Sequence, residues 1–315
     1  FDVRFMYKSA VRRDSPDTGI AYSYRTYHLL HRRRKTFRRL KAESMMLTAS
    51  VVTDHTSLPE AGAVLDCVLR SSIDKLYIID NSRNDALRIL EKRSSKIRYI
   101  HNANIGYGGA HNLAIREAME LGAKYHVVLN PDIRFAPETI ESLACYMDAH
   151  EDVGQIMPKV FYPDGRLQYL CKLLPTPADL IFRRFLPTGW AKKSRERFEL
   201  RFSDYDKEKN IPFLSGCFMF LRVEALCKVG LFDERFFMYG EDIDLSRRMH
   251  LQYRTMYYPG ASIVHLHEAA SYKNRRMLLI HIRNIIRYFN KWGWFFDAQR
   301  RKINRRLLKD LNYNR

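Results

Sequence analysis

The 315 residues lack any long apolar run. No window approaches the ~18 consecutive apolar side chains that a membrane-spanning helix requires. A basic-then-apolar leader pattern is not visible in the first residues either. Paired cysteine spacing is missing as well. Cys67, Cys145, Cys171, Cys217 and Cys227 form no CxxC motif and are odd in number. That argues against a disulfide framework or a zinc site, and for reduced, mostly buried thiols in a cytoplasmic protein. Internal repeats and low-complexity segments are absent too, while 46% apolar and 13% aromatic content is enough for a substantial core.

Acidic residues are scarce at the two ends, and that shapes the reading of the net charge of +19. Residues 1–44 carry 12 Lys/Arg against four Asp/Glu, and residues 272–315 carry 13 against two. Residues 45–271 hold 29 of each sign. A neutral body with basic ends suits an anionic membrane surface or acidic partners. Specific nucleic-acid recognition calls for a charged face within the folded body or a recognisable motif, and neither is found. The expected organisation is a basic extension over 1–44, a catalytic domain over 45–271 and a basic, aromatic, helical tail over 272–315.

From Leu47 onward, apolar strand candidates alternate with helical patterns. LTASVVT (47–53), KLYIID (75–80), KIRYIH (96–101) and KYHVVLN (124–130) read as strands. Helices are expected near 59–70 and 84–92, around Ala110–Leu121 with Gly122 as the stop, and after Pro137. Such alternation builds a parallel sheet flanked by helices, whose ligands bind beyond the carboxyl ends of the strands. That rule selects Asp80–Ser82 and Asn130–Asp132. Further on, 172–190 reads as a loop-rich excursion and 211–222 as a strand interrupted by glycine. Residues 241–252 read as a helix, 255–259 and 261–266 as two short strands, and the chain after Tyr272 as one basic helix.

Four constellations could carry chemistry. Asp132 of Asn130-Pro131-Asp132, at a strand end, suits Mg²⁺ or Mn²⁺ bridging to a diphosphate, although a Pro-Asp turn also closes strands without function. Glu241, Asp242 and Asp244 crowd a helix N-terminus, where carboxylates complement the helix dipole. Beside the aromatic run Phe236-Phe237-Met238-Tyr239 they also suit a general base. His265 and His267, two apart on a strand-like run, could share a face and bind a metal. Finally, Asn104-x-Gly106-x-Gly108-Gly109-x-x-Asn112 is a glycine-rich turn ahead of a helix, which can admit phosphate to backbone N–H groups.

The order and spacing of these pieces resemble glycosyltransferase family 2, especially its rhamnosyltransferase-like members from bacterial surface-polysaccharide pathways. The matching segments are Val51-Val52-Thr53, Ile79-Asp80-Asn81-Ser82, the Asn104–Asn112 turn, Leu129-Asn130-Pro131-Asp132 and Leu214-Ser215-Gly216-Cys217. They continue with Gly230–Phe237, Gly240-Glu241-Asp242-Ile243-Asp244-Leu245 and His265. The resemblance implies a GT-A fold, an α/β architecture with a mostly parallel central sheet, and inverting sugar transfer from a nucleoside diphosphate. It implies that Asp80, with the backbone near Thr53, holds the base or ribose, with Asn104, Gly106, Asn112 and Asn130 completing the nucleotide site. Asp132 becomes the metal-binding acid where many relatives have Asp-x-Asp. His265 becomes a further metal or diphosphate ligand, with His267 as the fallback. Asp242 becomes the general base supported by Glu241 and Asp244, and Ser215 and Gly216 line the sugar pocket. The implied donor is dTDP-rhamnose or else a UDP-hexose. The implied acceptor is a growing glycan or lipid-linked saccharide at the inner face of the plasma membrane. A sugar-phosphate nucleotidyltransferase, a binder acting through the basic ends and a non-catalytic scaffold are the rival readings. The first lacks its glycine-rich loop, since the first strand–helix turn reads Asp54-His55-Thr56-Ser57.

Overall fold

The computed structural model describes residues 46–180, 188–266 and 275–313. The expected extension 1–44 and the fallback ligand His267 lie outside the described residues. The chain runs β1 (Leu47–Thr53), α1 (Leu58–Leu69), β2 (Lys75–Asp80), a 3-10 helix (Ala86–Arg93), β3 (Ile97–His101), α2 (Tyr107–Glu120) and β4 (Tyr125–Leu129). Then come β5 (Ile133–Phe135), α3 (Glu138–Ala149), β6 (Val153–Phe161), β7 (Cys171–Lys172), α4 (Pro177–Leu180) and α5 (Thr188–Phe198). The remainder is β8 (Lys209–Asn210), β9 (Phe213–Leu214), β10 (Phe218–Arg222), α6 (Val223–Val229), α7 (Glu241–His250), β11 (Arg254–His265), α8 (Arg275–Trp292) and α9 (Ala298–Asp310).

The main sheet has the order β3-β2-β1-β4-β10-β6-β11-β5, with β8 also on β11. β1 to β4 pair in parallel, and β11 runs parallel to β6. β10 is inserted antiparallel between β4 and β6, and β5 and β8 are antiparallel to β11. All seven residues of β1 are buried, as expected of a central strand covered on both faces. On one face Ala49 and Val51 meet Val64 and Leu65 of α1, with Ile140 and Leu143 of α3 in the same cluster. The other face packs Val128 and Met219 with Ile115 of α2, Leu226 of α6 and Leu245 of α7.

Several local expectations changed. The helix near 84–92 is a 3-10 helix, because its buried residues Leu87 and Leu90 stand three apart and match three residues per turn. The glycine-interrupted strand is two strands in different sheets. Its break falls where the Gly216 N–H donates to the Asp242 carboxylate (3.1 Å). The two short strands after 254 form one strand, β11, with an irregularity between Tyr258 and Ser262 that absorbs Pro259 and Gly260. The basic tail is two helices broken at Gly293, whose φ of 97° needs no Cβ. Asp297 caps the second by accepting from the Arg300 N–H.

The C-terminal helices pack onto the domain. Ile285, Tyr288, Phe289 and Leu307 join Phe213, Phe236 and Ile243 in one buried cluster. A bidentate pair of 2.7 and 2.9 Å between Arg247 of α7 and Asp297 is almost wholly enclosed, with the Trp292 ring 4.0 Å from the guanidinium. Among the described residues no helix is long and apolar enough to cross a membrane.

Candidate active site

At the carboxyl ends of β1 and β2, Thr53 and Asp80 are register partners. Asp80 is fully buried and accepts from the Thr53 hydroxyl (3.2 Å), the Ser82 N–H (3.0 Å) and the Tyr99 hydroxyl (2.7 Å). It therefore orders the rim of the expected nucleotide site from beneath. Asn104 ties that rim to the glycine turn, donating to Asp54 (3.0 Å) and accepting from the Gly106 N–H (3.1 Å). Gly106 has a φ of 86°, and a Cβ there would meet the Phe237 carbonyl oxygen at 2.2 Å. Only glycine lets this turn lie against the 237 backbone, where the Tyr107 N–H donates to the same carbonyl (2.8 Å).

At the end of β4, Asp132 meets His265 of β11, with Oδ2 to Nε2 at 3.3 Å. The β5–β11 pairing brings them together by setting Ile133 opposite His265. Gln168 fixes the ring: its Oε1 lies 3.0 Å from Nδ1, and its Nε2 donates to the His265 carbonyl (2.8 Å). With Nδ1–H given to Gln168, Nε2 is the nitrogen that faces Asp132, the usual outer support of a metal-binding histidine. Burial disfavours charge on the ring, but Cys217 and Asp132 beside it outweigh this and raise its pKa to about 10. A proton and a divalent cation thus compete for one position. A carboxylate and an imidazole suit Mg²⁺ or Mn²⁺ when phosphate oxygens complete the shell. No cluster of three or more His, Cys, Asp or Glu is present among the described residues, so the fit is to a cation shared with a diphosphate.

Helix α7 presents the third part. Tyr239 (φ 66°) and Gly240 (φ 111°) turn the chain sharply into its first turn. There Asp242 is half-buried and accepts from the N–H groups of Gly216 (3.1 Å) and Ile243 (2.8 Å). Glu241 turns inward, and its Oε2 is buried with no hydrogen-bond partner. Burial first, and then the adjacent Asp242, hold its pKa well above the usual carboxylate range, which disfavours its charged form. The accessible carboxylate is Asp242. Ser215, whose hydroxyl lies 3.5 Å from the Cys217 N–H, and Gly216 form the bend between β9 and β10 beside it.

Two expected site residues hold the fold instead. Asn112 is buried and exchanges hydrogen bonds with the Phe232 backbone (2.9 and 3.0 Å), also reaching Glu234 (2.9 Å). Asp244 is fully buried and bound by Arg248 (2.8 Å), Lys291 (2.6 Å) and the Trp292 indole (2.8 Å). It fastens α8 to α7 rather than lining an acceptor pocket.

Tyr107 is the main residue that the sequence reading missed. Its hydroxyl lies 2.9 Å from Asn130 Oδ1 and 2.8 Å from the Gly216 carbonyl, sharing one proton between them. Burial, with Glu241, Cys217, Asp242 and Asp132 around it, raises its pKa well above the usual tyrosine value. The carboxylates of α7 and the β4 end therefore converge on one ring. The position of Tyr107 inside the glycine turn was the available signal; Gln168, on a loop without pattern, offered none.

This is a GT-A arrangement, a mostly parallel sheet with the glycine turn, the β4-end acid and the α7 acids gathered at one edge. Similarity to known proteins agrees. The glycosyl transferase family 2 model matches residues 58–230. An N-acetylglucosaminyl-diphospho-decaprenol L-rhamnosyltransferase of Mycobacterium tuberculosis is 30% identical over 213 residues, covering 62% of this chain and 67% of that protein. Rhamnosyltransferase WbbL of Escherichia coli is 24% identical over 250 residues, covering 76% and 86% respectively. Among solved structures, GalNAc-T7 with UDP, GalNAc and Mn²⁺ superposes with a TM-score of 0.59 at 12% identity, covering 85% of this chain and 55% of that one. The chain belongs to glycosyltransferase family 2. It is a glycosyltransferase, and neither the nucleotidyltransferase nor the nucleic-acid reading is favoured.

Proposed function

We propose that the chain is an inverting, divalent-metal-dependent transferase that moves rhamnose from dTDP-rhamnose, or else a hexose from a UDP-hexose, to a hydroxyl of a lipid-linked saccharide or growing surface glycan. The sugar and the acceptor class rest on the rhamnosyltransferase relatives. The observation that carries the mechanism is Asp242: an accessible carboxylate fixed by two N–H groups beside the sheet edge that also holds Asp132 and His265.

The nucleotide lies against the rim ordered by Thr53, Asp80 and Asn104, with the glycine turn admitting its diphosphate. Asp132 and His265 would hold Mg²⁺ or Mn²⁺, which supplies charge neutralisation to the departing diphosphate. Asp242 accepts the proton of the acceptor hydroxyl as that oxygen attacks the anomeric carbon from the face opposite the leaving group. The carbon–phosphate oxygen bond breaks in the same displacement, which inverts the configuration. Gly216 and Ile243 N–H groups keep the carboxylate oriented, and burial disfavours a second negative charge on Glu241 next to it. The enzyme works on the cytoplasmic side, in peripheral contact with an anionic membrane through its basic ends.

Calorimetric titration with dTDP and UDP, with and without Mn²⁺, tests this reading. Metal-enhanced binding of one nucleotide supports it and narrows the donor; no binding to either with metal present refutes it.

A further inference from the structure

Helix α8 has two apolar stripes, and the fold accounts for one. Ile285, Tyr288 and Phe289 point inward and are buried. Leu279, Ile282 and Ile286, at i, i+3 and i+7, form a second stripe about 100° further round the helix, 67%, 47% and 39% exposed. In the turn after α8, Phe295 is 62% exposed and Phe296 is 93% exposed. Five large apolar side chains in water along one terminal segment are more than scattered exposure explains.

The charges nearby say what covers them. Arg283 stands exposed beside the stripe, and on α9 Arg301, Lys302, Arg305, Arg306 and Lys309 line an open groove. With 13 Lys/Arg against two Asp/Glu over 272–315, a second copy of the segment would bring like charges together. An apolar stripe with Arg283 beside it, in a segment rich in cations and followed by exposed aromatic side chains, fits the interface of an anionic bilayer, where the stripe enters the acyl boundary and the cations meet the headgroups.

We propose that the Leu279–Ile282–Ile286 stripe of α8, with Phe295 and Phe296, is a docking face for an anionic lipid bilayer and sets the enzyme's orientation on it. This deepens the membrane contact proposed above and rests on that reading. The side of α8 away from this stripe holds the loop that leads into Asp242. Asn284 donates to the Met238 carbonyl (2.6 Å), Arg287 to the Arg235 carbonyl (2.5 Å), and the His281 ring stacks on Tyr239 at 4.9 Å. A helix lying flat is about 10–12 Å across, so the 238–242 loop sits about one helix diameter from the headgroups. Docked this way, the loop that leads into the base lies close to the layer in which a lipid-linked acceptor carries its sugar.

Co-sedimentation of the full chain with vesicles tests the proposal. Vesicles of phosphatidylcholine with phosphatidylglycerol should bind at least about tenfold more tightly than phosphatidylcholine alone, and less so as salt rises. The triple variant Leu279→Ser, Ile282→Ser, Ile286→Ser alters only exposed positions and should bind the anionic vesicles roughly tenfold more weakly. Unchanged vesicle binding by that variant overturns the docking face, since the basic residues of 1–44 are still present in it. Equal binding of neutral and anionic vesicles overturns the anionic bilayer. A wild-type dimer that the same substitutions dissociate, without lipid binding, assigns the face to a second copy and also overturns it. Nucleotide titration of the wild-type chain separates the two readings: vesicle binding without nucleotide binding leaves docking in place and removes the transferase mechanism.

Discussion

Replacing Asp242 by Asn tests the base directly, and the geometry sets its size. Asp242 accepts two N–H bonds, from Gly216 at 3.1 Å and Ile243 at 2.8 Å, one on each oxygen. Asn has only one acceptor oxygen, so one N–H would face an NH₂ group, costing about 1–3 kcal/mol locally. The larger effect is chemical. A positioned general base is worth roughly 10²–10⁴-fold in rate, or about 2.7–5.5 kcal/mol of activation free energy. Asp242→Asn should lower kcat by that factor while nucleotide binding stays near wild type. Glu241→Gln is the matched control, because Glu241 is buried and its charged form is disfavoured there. It should lose far less turnover. Both variants are read by release of the nucleoside diphosphate with a lipid-linked saccharide acceptor, beside titration with nucleotide and Mn²⁺. Near-full turnover in Asp242→Asn, or a larger loss in Glu241→Gln, refutes the assignment.

Other perturbations address the remaining parts. Asp132→Ala should remove the Mn²⁺-dependent gain in nucleotide affinity and leave metal-free binding unchanged, measured by calorimetry. Asp297→Ala strands the Arg247 guanidinium, whose side chain is 1% exposed, and removes the α9 cap, so urea unfolding should show a loss of about 3–5 kcal/mol. Arg247→Met with Asp297→Ser, which keeps a capping hydroxyl, should recover most of it. His111 and His126 are fully buried in a chain through Ser50 (2.7 and 2.8 Å) and Thr48 (2.8 Å). Burial holds His126 at about 3 and His111 well below the usual value. The unfolded chain therefore binds more protons below about pH 6.5, and stability present above it falls as pH drops, by about 1.4 kcal/mol per pH unit for each ring. His265, raised to about 10, stays protonated in the folded chain while the unfolded ring gains its proton through about pH 6.5, so it opposes this slope near pH 6.5 and adds little below about pH 5.5. Urea midpoints at pH 6.5 and 5.0 measure this, and His126→Asn should reduce the slope.

The sequence by itself determined the parts that are local. Strand β1 was legible as a buried strand from Leu47, Ala49, Val51 and Val52, although Thr48 and Ser50 between them are buried too and bond His126 and His111. The ends of β2 and β4 marked Asp80 and Asn130–Asp132, since ligands of such sheets gather beyond the strands' carboxyl ends. The acids at 241–244 announced a helix start through the dipole they complement. Tertiary structure decided which face each of those residues turned toward, because that depends on partners far away in sequence. Asp242 and Asp244 are two apart, yet one binds Gly216 and the other binds Lys291 and Trp292. About 100° per residue sends neighbours on a helix to different surroundings. Asn112 and Tyr107 lie in the same glycine-rich stretch, and only the packing of 232–237 and 216 against α2 separates a staple from the ring around which the acids gather. Even the break between β9 and β10 was settled from a distance, where a carboxylate 26 residues later takes the N–H that a sheet partner would otherwise hold.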